Sequence, residues 1–212
     1  MRWRYDAHPH RDVEILTWVL SGTLLHRDST GRADLTRPGL AQRITAGSGI
    51  EHSERNDPRS DDSGPGGSDP DDPGSGRPLR DAHLVQMWVR PDTDGVPPDY
   101  DQRDITPQLD SGDLVVVASG MSRQVDDRAV AVRQRQAALH AARVHPGGTV
   151  ALPPAPPAHL FVARGSLRLE GTGTLGTGDA ARVTAADGQR MSAGADGAEV
   201  LVWEMHASLT WP

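Results

Sequence analysis

The chain has 212 residues, a net charge of −7, 36% hydrophobic residues, and 23 glycines beside 17 prolines. That length fits one large domain or two small ones, and so much glycine and proline favours short strands and turns over long helices. The acidic balance argues against general nucleic-acid binding. The lack of cysteine excludes disulfides and thiolate metal sites, and no stretch is long and apolar enough to span a bilayer.

The opening residues, "MRWRYDAH", hold no apolar signal core, so a cytoplasmic protein is expected. In "DAHPHRDVEILTWVLSG" (6–22), His8 and His10 flank a proline and precede a β-rich run that ends at a turn, Ser21-Gly22. "TLLHRDSTGRADLT" follows as strand, tight turn at Ser29-Thr30-Gly31, and strand. "LAQRITAGSGIEHSERN" carries a strand, a glycine-rich bend and a polar strand. Residues 57–78 are Gly, Pro, Asp, Ser and Arg with nothing apolar, which predicts a disordered surface loop. "AHLVQMWVRP" (82–91) resumes as a core strand, so the segments on either side of the loop belong to one domain. A second series of strands begins at "GDLVVVASGM" (112–121) and runs to "AEVLVWEM". "ILTWVLSGTLLHRD" and "HLFVARGSLRLEG" both read as strand, glycine turn, strand. Many short strands at roughly 8–12-residue spacing predict a sandwich or barrel, and the internal similarity predicts two related ones.

A strand sends residues i and i+2 to one face. His8 and His10 therefore point together, and so do His52 and Glu54 in "GSGIEHSERN". A His-x-His pair by itself is usually incidental. Two such pairs on neighbouring strands offer three imidazoles and a carboxylate, which suits a divalent first-row ion. His26 could orient a ligand from beneath. His83, His140, His145, His159 and His206 are scattered, and the second half shows no His-x-His or His-x-Glu. Arg123, Arg128, Arg133 and Arg135 read as a solvated face. Trp18, Trp88 and Trp203 read as core, with Trp3 and Trp211 undecided.

The first stretch resembles cupin motif 1, with Glu14 as its glutamate and Gly22 closing the turn. The second resembles cupin motif 2, Gly49-x2-His52-x3-Asn56, with Gly47 where the usual proline would sit. Together with "HRDSTG", "QMWVRPDTDGVPPDYDQ" and "LFVARGSLRLEG", the ordered set is similar to pirins, the two-domain cupins. The resemblance implies an all-β chain of two jelly-roll-like barrels in tandem. These would be a metal-binding one over residues 1–109, lacking the opening strands that pirins carry, and a metal-free one over residues 112–212. It implies His8, His10, His52 and Glu54 as ligands of one divalent ion, Fe(II) by preference, with Glu14 left as a supporting or surface group. Two functions follow from it. One is a quercetin 2,3-dioxygenase type of enzyme, in which a flavonol ring is opened with O₂, carbon monoxide is released, and Glu54 is the base. The other is an iron-dependent redox-sensing regulator that binds a transcription factor or metabolic enzyme. A monomer without nucleic-acid or membrane contact is expected.

Overall fold

The structure, a computed structural model, describes residues 4–57, 81–124 and 129–206. Apart from Asp57, the loop expected at 57–78 lies outside the described residues, as do Trp3, Arg128 and Trp211. The chain forms two compact units, residues 1–100 and 101–212. Among the described residues, helix is limited to one turn of α-helix and one of 3₁₀-helix. The chain is all-β, as the strand spacing predicts.

The first unit holds β1 (Arg4–His10), β2 (Glu14–Ser21), β3 (Leu24–Asp28), β4 (Ala33–Thr36), β5 (Leu40–Thr45), β6 (Ile50–Asn56) and β7 (His83–Val89), with β8 (Asp99–Asp104) starting at its end. They make two four-stranded sheets, ordered β1-β6-β3-β4 and β7-β2-β5-β8. β2, "EILTWVLS", is buried along nearly its whole length because it lies between β5 and β7. Ile15 and Ile44 are directly opposed across β2 and β5 and join Ala46 and Ile50 in one core. Burying each such isoleucine stabilises the unit by about 1.5–3 kcal/mol.

β6 shows strict period-two burial: Ile50, His52, Glu54 and Asn56 point inward while Glu51 and Arg55 point out. β1 pairs with β6 so that His10 opposes Ile50 and His8 opposes His52, and a bulge between Tyr5 and His8 then sets Tyr5 opposite Glu54. The extra residue restores parity, so Tyr5, His8 and His10 all share the inward face of β6. On the other flank, β3 sets His26 opposite Glu54 and Asp28 opposite His52. The bend before β6 requires glycine at residue 47: its φ is +49°, and a Cβ there would lie 2.0 Å from the carbonyl oxygen of Val96.

The second unit contains α1 (Thr106–Leu109), β9 (Val115–Ser119), β10 (Val130–Ala131), β11 (Ala137–Val144), β12 (Thr149–Ala151), β13 (Ala155–Leu169), β14 (Gly173–Gly176), β15 (Ala180–Ala186) and β16 (Arg190–Met205). The sheet runs β10-β9-β11-β16-β13-β14, with β12 on β16 and β15 on β13. Its core includes Leu160, Val162, Leu167, Leu169, Val200 and Val202. "HLFVARGSLRLEG" differs here from the expected strand, turn, strand. Up to Leu169 it belongs to a single fifteen-residue strand, β13, whose register slips on both sides of Gly165. Gly165 has φ +71° and packs against the backbone of Gly197. The glycine bends the strand without ending it.

Candidate metal centre

β1 and β6 bring His8, His10 and His52 together. Their ring centroids lie 4.5–4.9 Å apart, and one nitrogen from each falls within 4.8 Å of the others. His8 Nδ1 donates to the carbonyl oxygen of Asp6 at 2.8 Å, which leaves its Nε2 lone pair facing inward. That Nε2 faces His52 Nε2 at 3.0 Å. His10 Nε2 is buried with no hydrogen-bond partner. Burial, then repulsion from the neighbouring imidazoles, lowers the pKa of His10 and brings that of His52 down to about 3. These rings are neutral at physiological pH, the state in which imidazole binds a metal. Converging lone pairs and an orphaned buried nitrogen fit a divalent first-row ion.

Glu54 falls in a second triad with His26 and His52, so His52 is shared. Its carboxylate is held by Gln86 on β7, whose Nε2 donates to both oxygens at 3.0 and 3.1 Å. Gln86 Oε1 in turn accepts from Trp88 Nε1 at 3.3 Å. Burial raises the Glu54 pKa, against the Gln86 hydrogen bond and the field of His26 and His8. His26 is fully buried; its Nε2 meets Asp28 Oδ2 at 3.1 Å and its Nδ1 is buried without a hydrogen-bond partner. Asp28 also closes the "HRDSTG" turn, accepting from the Thr30 amide and hydroxyl.

Glu14 is not a surface group. It is fully buried on β2, where Thr45 Oγ1 donates to it at 3.1 Å and Arg43 Nε lies 3.9 Å away. Trp18 and Trp203 are buried, but Trp88 is 62% exposed. It shares the face of β7 that carries Gln86, and its ring meets His10 edge-to-face at 5.1 Å. Arg123 is exposed, as a solvated face predicts, and it also reaches a buried carboxylate. Arg123 bonds to Glu204, and its Nη2 donates to His206 Nε2 at 2.8 Å. Glu204 is buried in the second unit and further bonded by Gln124 and His140, each at 2.8 Å. Arg133 and Arg135 are exposed.

Gln86 and the Glu204 cluster escape sequence reading. The available signals are the i,i+2 alternation in "QMW", matching that in "HSE", and the Glu-x-His pair in "EMH". Nothing local says which strands these residues will face.

Two tandem β-barrels, the first with an inward histidine triad beside a buried carboxylate, define a two-domain cupin. Residues 2–89 match the pirin family model, and residues 117–205 match the quercetinase C-terminal cupin domain. The chain belongs to the pirin family. It is 47% identical over 205 residues, 97% of its length and 75% of the relative's, to proteins of Mycobacterium bovis and Mycobacterium tuberculosis named "Putative quercetin 2,3-dioxygenase". Over 99 residues, 47% of this chain and 35% of the relative, it is 39% identical to the quercetin 2,3-dioxygenase of Escherichia coli. Among solved structures it is similar to the bacterial pirin YhhW of Escherichia coli in complex with nickel(II). The TM-score is 0.73 at 27% identity, covering 97% of this chain and 77% of that one. Among the described residues, no helix is long and apolar enough to cross a membrane.

Proposed function

We propose that the chain is a metal-dependent oxygenase of the quercetin 2,3-dioxygenase type, acting on flavonol-like substrates. In this reading His8, His10, His52 and Glu54 hold one divalent ion, Fe(II) in the cell, and the protein works as a cytoplasmic monomer. The observation that carries the reading is the convergence of three imidazoles beside a buried carboxylate that one glutamine orients. The names of the mycobacterial and Escherichia coli relatives support the substrate class. Affinity alone would favour copper over iron in such a nitrogen and oxygen donor set, so supply in the cell decides the ion.

When bound, the ion supplies the Lewis-acid and redox chemistry that O₂ insertion needs. The chain's own residues set the proton chemistry. Burial raises the proton affinity of Glu54, so its carboxylate accepts the proton of an acidic enol hydroxyl more readily than an exposed one would. Gln86 keeps both Glu54 oxygens in a fixed plane. Asp6, through its carbonyl oxygen, fixes the tautomer and tilt of His8.

The test is turnover of quercetin by the iron-loaded chain, followed by O₂ uptake and carbon monoxide release. Quercetin-dependent O₂ uptake that is lost in Glu54→Gln is the expected result. Full metal occupancy with no turnover sinks the enzyme reading and favours the regulator that binds a protein partner.

A further inference from the structure

Among the described residues, two large aromatic side chains remain exposed in the first unit beside the histidine triad. Trp88 is 62% and Tyr5 is 60% exposed. Each meets a different member of the His8–His10 pair. Trp88 lies edge-to-face on His10 at 5.1 Å and 78°, and Tyr5 lies edge-to-face on His8 at 6.4 Å and 67°. A single exposed aromatic is ordinary on a protein surface. Two of them at opposite ends of one pair of converging imidazoles is a different arrangement.

Their positions follow from the backbone. The bulge in β1 turns Tyr5 onto the same face as His8 and His10. The period of two in β7 puts Trp88 on the face of Gln86. The indole is also anchored: its Nε1 donates to Gln86 Oε1 at 3.3 Å, and the Nε2 of that same amide holds the Glu54 carboxylate. One glutamine thus orients both an exposed ring and the buried carboxylate. A fixed, wet aromatic ring over a polar centre offers stacking area at little entropic cost, and binding sites combine such apolar walls with a few placed polar groups.

We propose that Trp88 and Tyr5 are the aromatic walls of the substrate subsite, and that stacking on Trp88 selects flat, fused-ring phenols over small single-ring ones. The proposal rests on the functional reading above for the place where substrate sits. It adds the residues that set ring specificity.

The experiment is an anaerobic titration of the nickel(II)-loaded full chain with two ligands, read by their absorbance. Quercetin is the fused-ring ligand. Maltol is a single-ring compound with the same adjacent hydroxyl and carbonyl oxygens. Trp88→Ala should weaken quercetin binding roughly three- to tenfold while maltol stays within about twofold. Trp88→Phe should restore most of the loss, and Tyr5→Ala should show a smaller loss of the same kind. Nickel content should match the parent in every variant. Unchanged quercetin affinity in Trp88→Ala, an equal loss for both ligands, loss of nickel, or a parent chain that binds neither ligand each overturns the proposal. A parent that prefers quercetin through Trp88 but shows no O₂-dependent turnover leaves the walls standing and removes the oxygenase reading.

Discussion

His8 Nε2 and His52 Nε2 face each other at 3.0 Å although 44 residues separate them in the chain. The antiparallel pairing of β1 with β6 sets the two residues directly opposite, and the Asp6 carbonyl turns the lone pair of His8 inward. Without an ion, a hydrogen on one ring nitrogen bridges the pair; with an ion, both lone pairs are available to it at this spacing. His52 also belongs to the triad containing Glu54, so it is the member whose loss should matter most. His52→Ala is expected to lower nickel(II) or iron(II) affinity by more than the roughly 10–100-fold that outer-sphere partners cost. Metal content after dialysis, with circular dichroism to verify the fold, checks this. Retention of a full equivalent of metal by His52→Ala would remove the histidine triad as the site.

Gln86→Leu separates orientation from coordination. It deletes both hydrogen bonds from the Gln86 amide to Glu54 and the one that Gln86 accepts from the Trp88 indole, without touching the histidine triad. Metal content should stay near one equivalent while kcat for quercetin falls roughly 10–100-fold, and KM rises by less than about tenfold because the Trp88 ring loses its anchor but stays in place. A variant that loses metal in proportion to kcat would show that Gln86 acts by holding Glu54 as a ligand and not by holding it as a base.

Arg43 and Glu14 form the buried polar pair of the second sheet. The Arg43 guanidinium is bound by Thr45 at 2.8 Å and by Asp99 at 2.9 Å, and lies near Glu14. Arg43→Met should cost about 3–5 kcal/mol, because it leaves a buried carboxylate without its cation. The double variant Arg43→Met, Glu14→Leu should recover much of that loss. Equilibrium denaturation checks both, and equal destabilisation of the single and double variants would show that the pair is not coupled.

Acid should loosen the second unit through Glu204. Burial alone would raise its pKa, but hydrogen bonds from Gln124, His206 and His140 outweigh burial and bring it down to about 2. A carboxylate whose folded pKa is depressed contributes stability that is fully present above the unfolded value, near 4.5. That stability is lost as pH falls from there toward about 2. The full contribution is on the order of 3 kcal/mol. Glu204→Gln should flatten the pH dependence over that window, read by hydrogen exchange of β11 and β16 amides. An unchanged acid slope in the variant would assign it to other groups.

Much of this molecule is legible in one dimension. The alternation in "IEHSERN" alone predicts that His52 and Glu54 share a face, because side-chain direction in a strand has a period of two. The ordered motifs identify two cupin barrels without any contact being known. What the tertiary structure alone decided is partnership. His8 meets His52 because β1 lies beside β6. Tyr5 joins them because a bulge, which no residue type announces, shifts its parity. Trp88 reads as core from its apolar neighbours, yet the position of β7 leaves it exposed. Glu14, a motif residue, turns to Arg43 and Thr45 and not to the histidines. Glu204 gathers His140 and Arg123 from 64 and 81 residues away. Local patterns set which way a side chain points. Strand order and register set what it meets, and those depend on contacts between residues far apart in the chain.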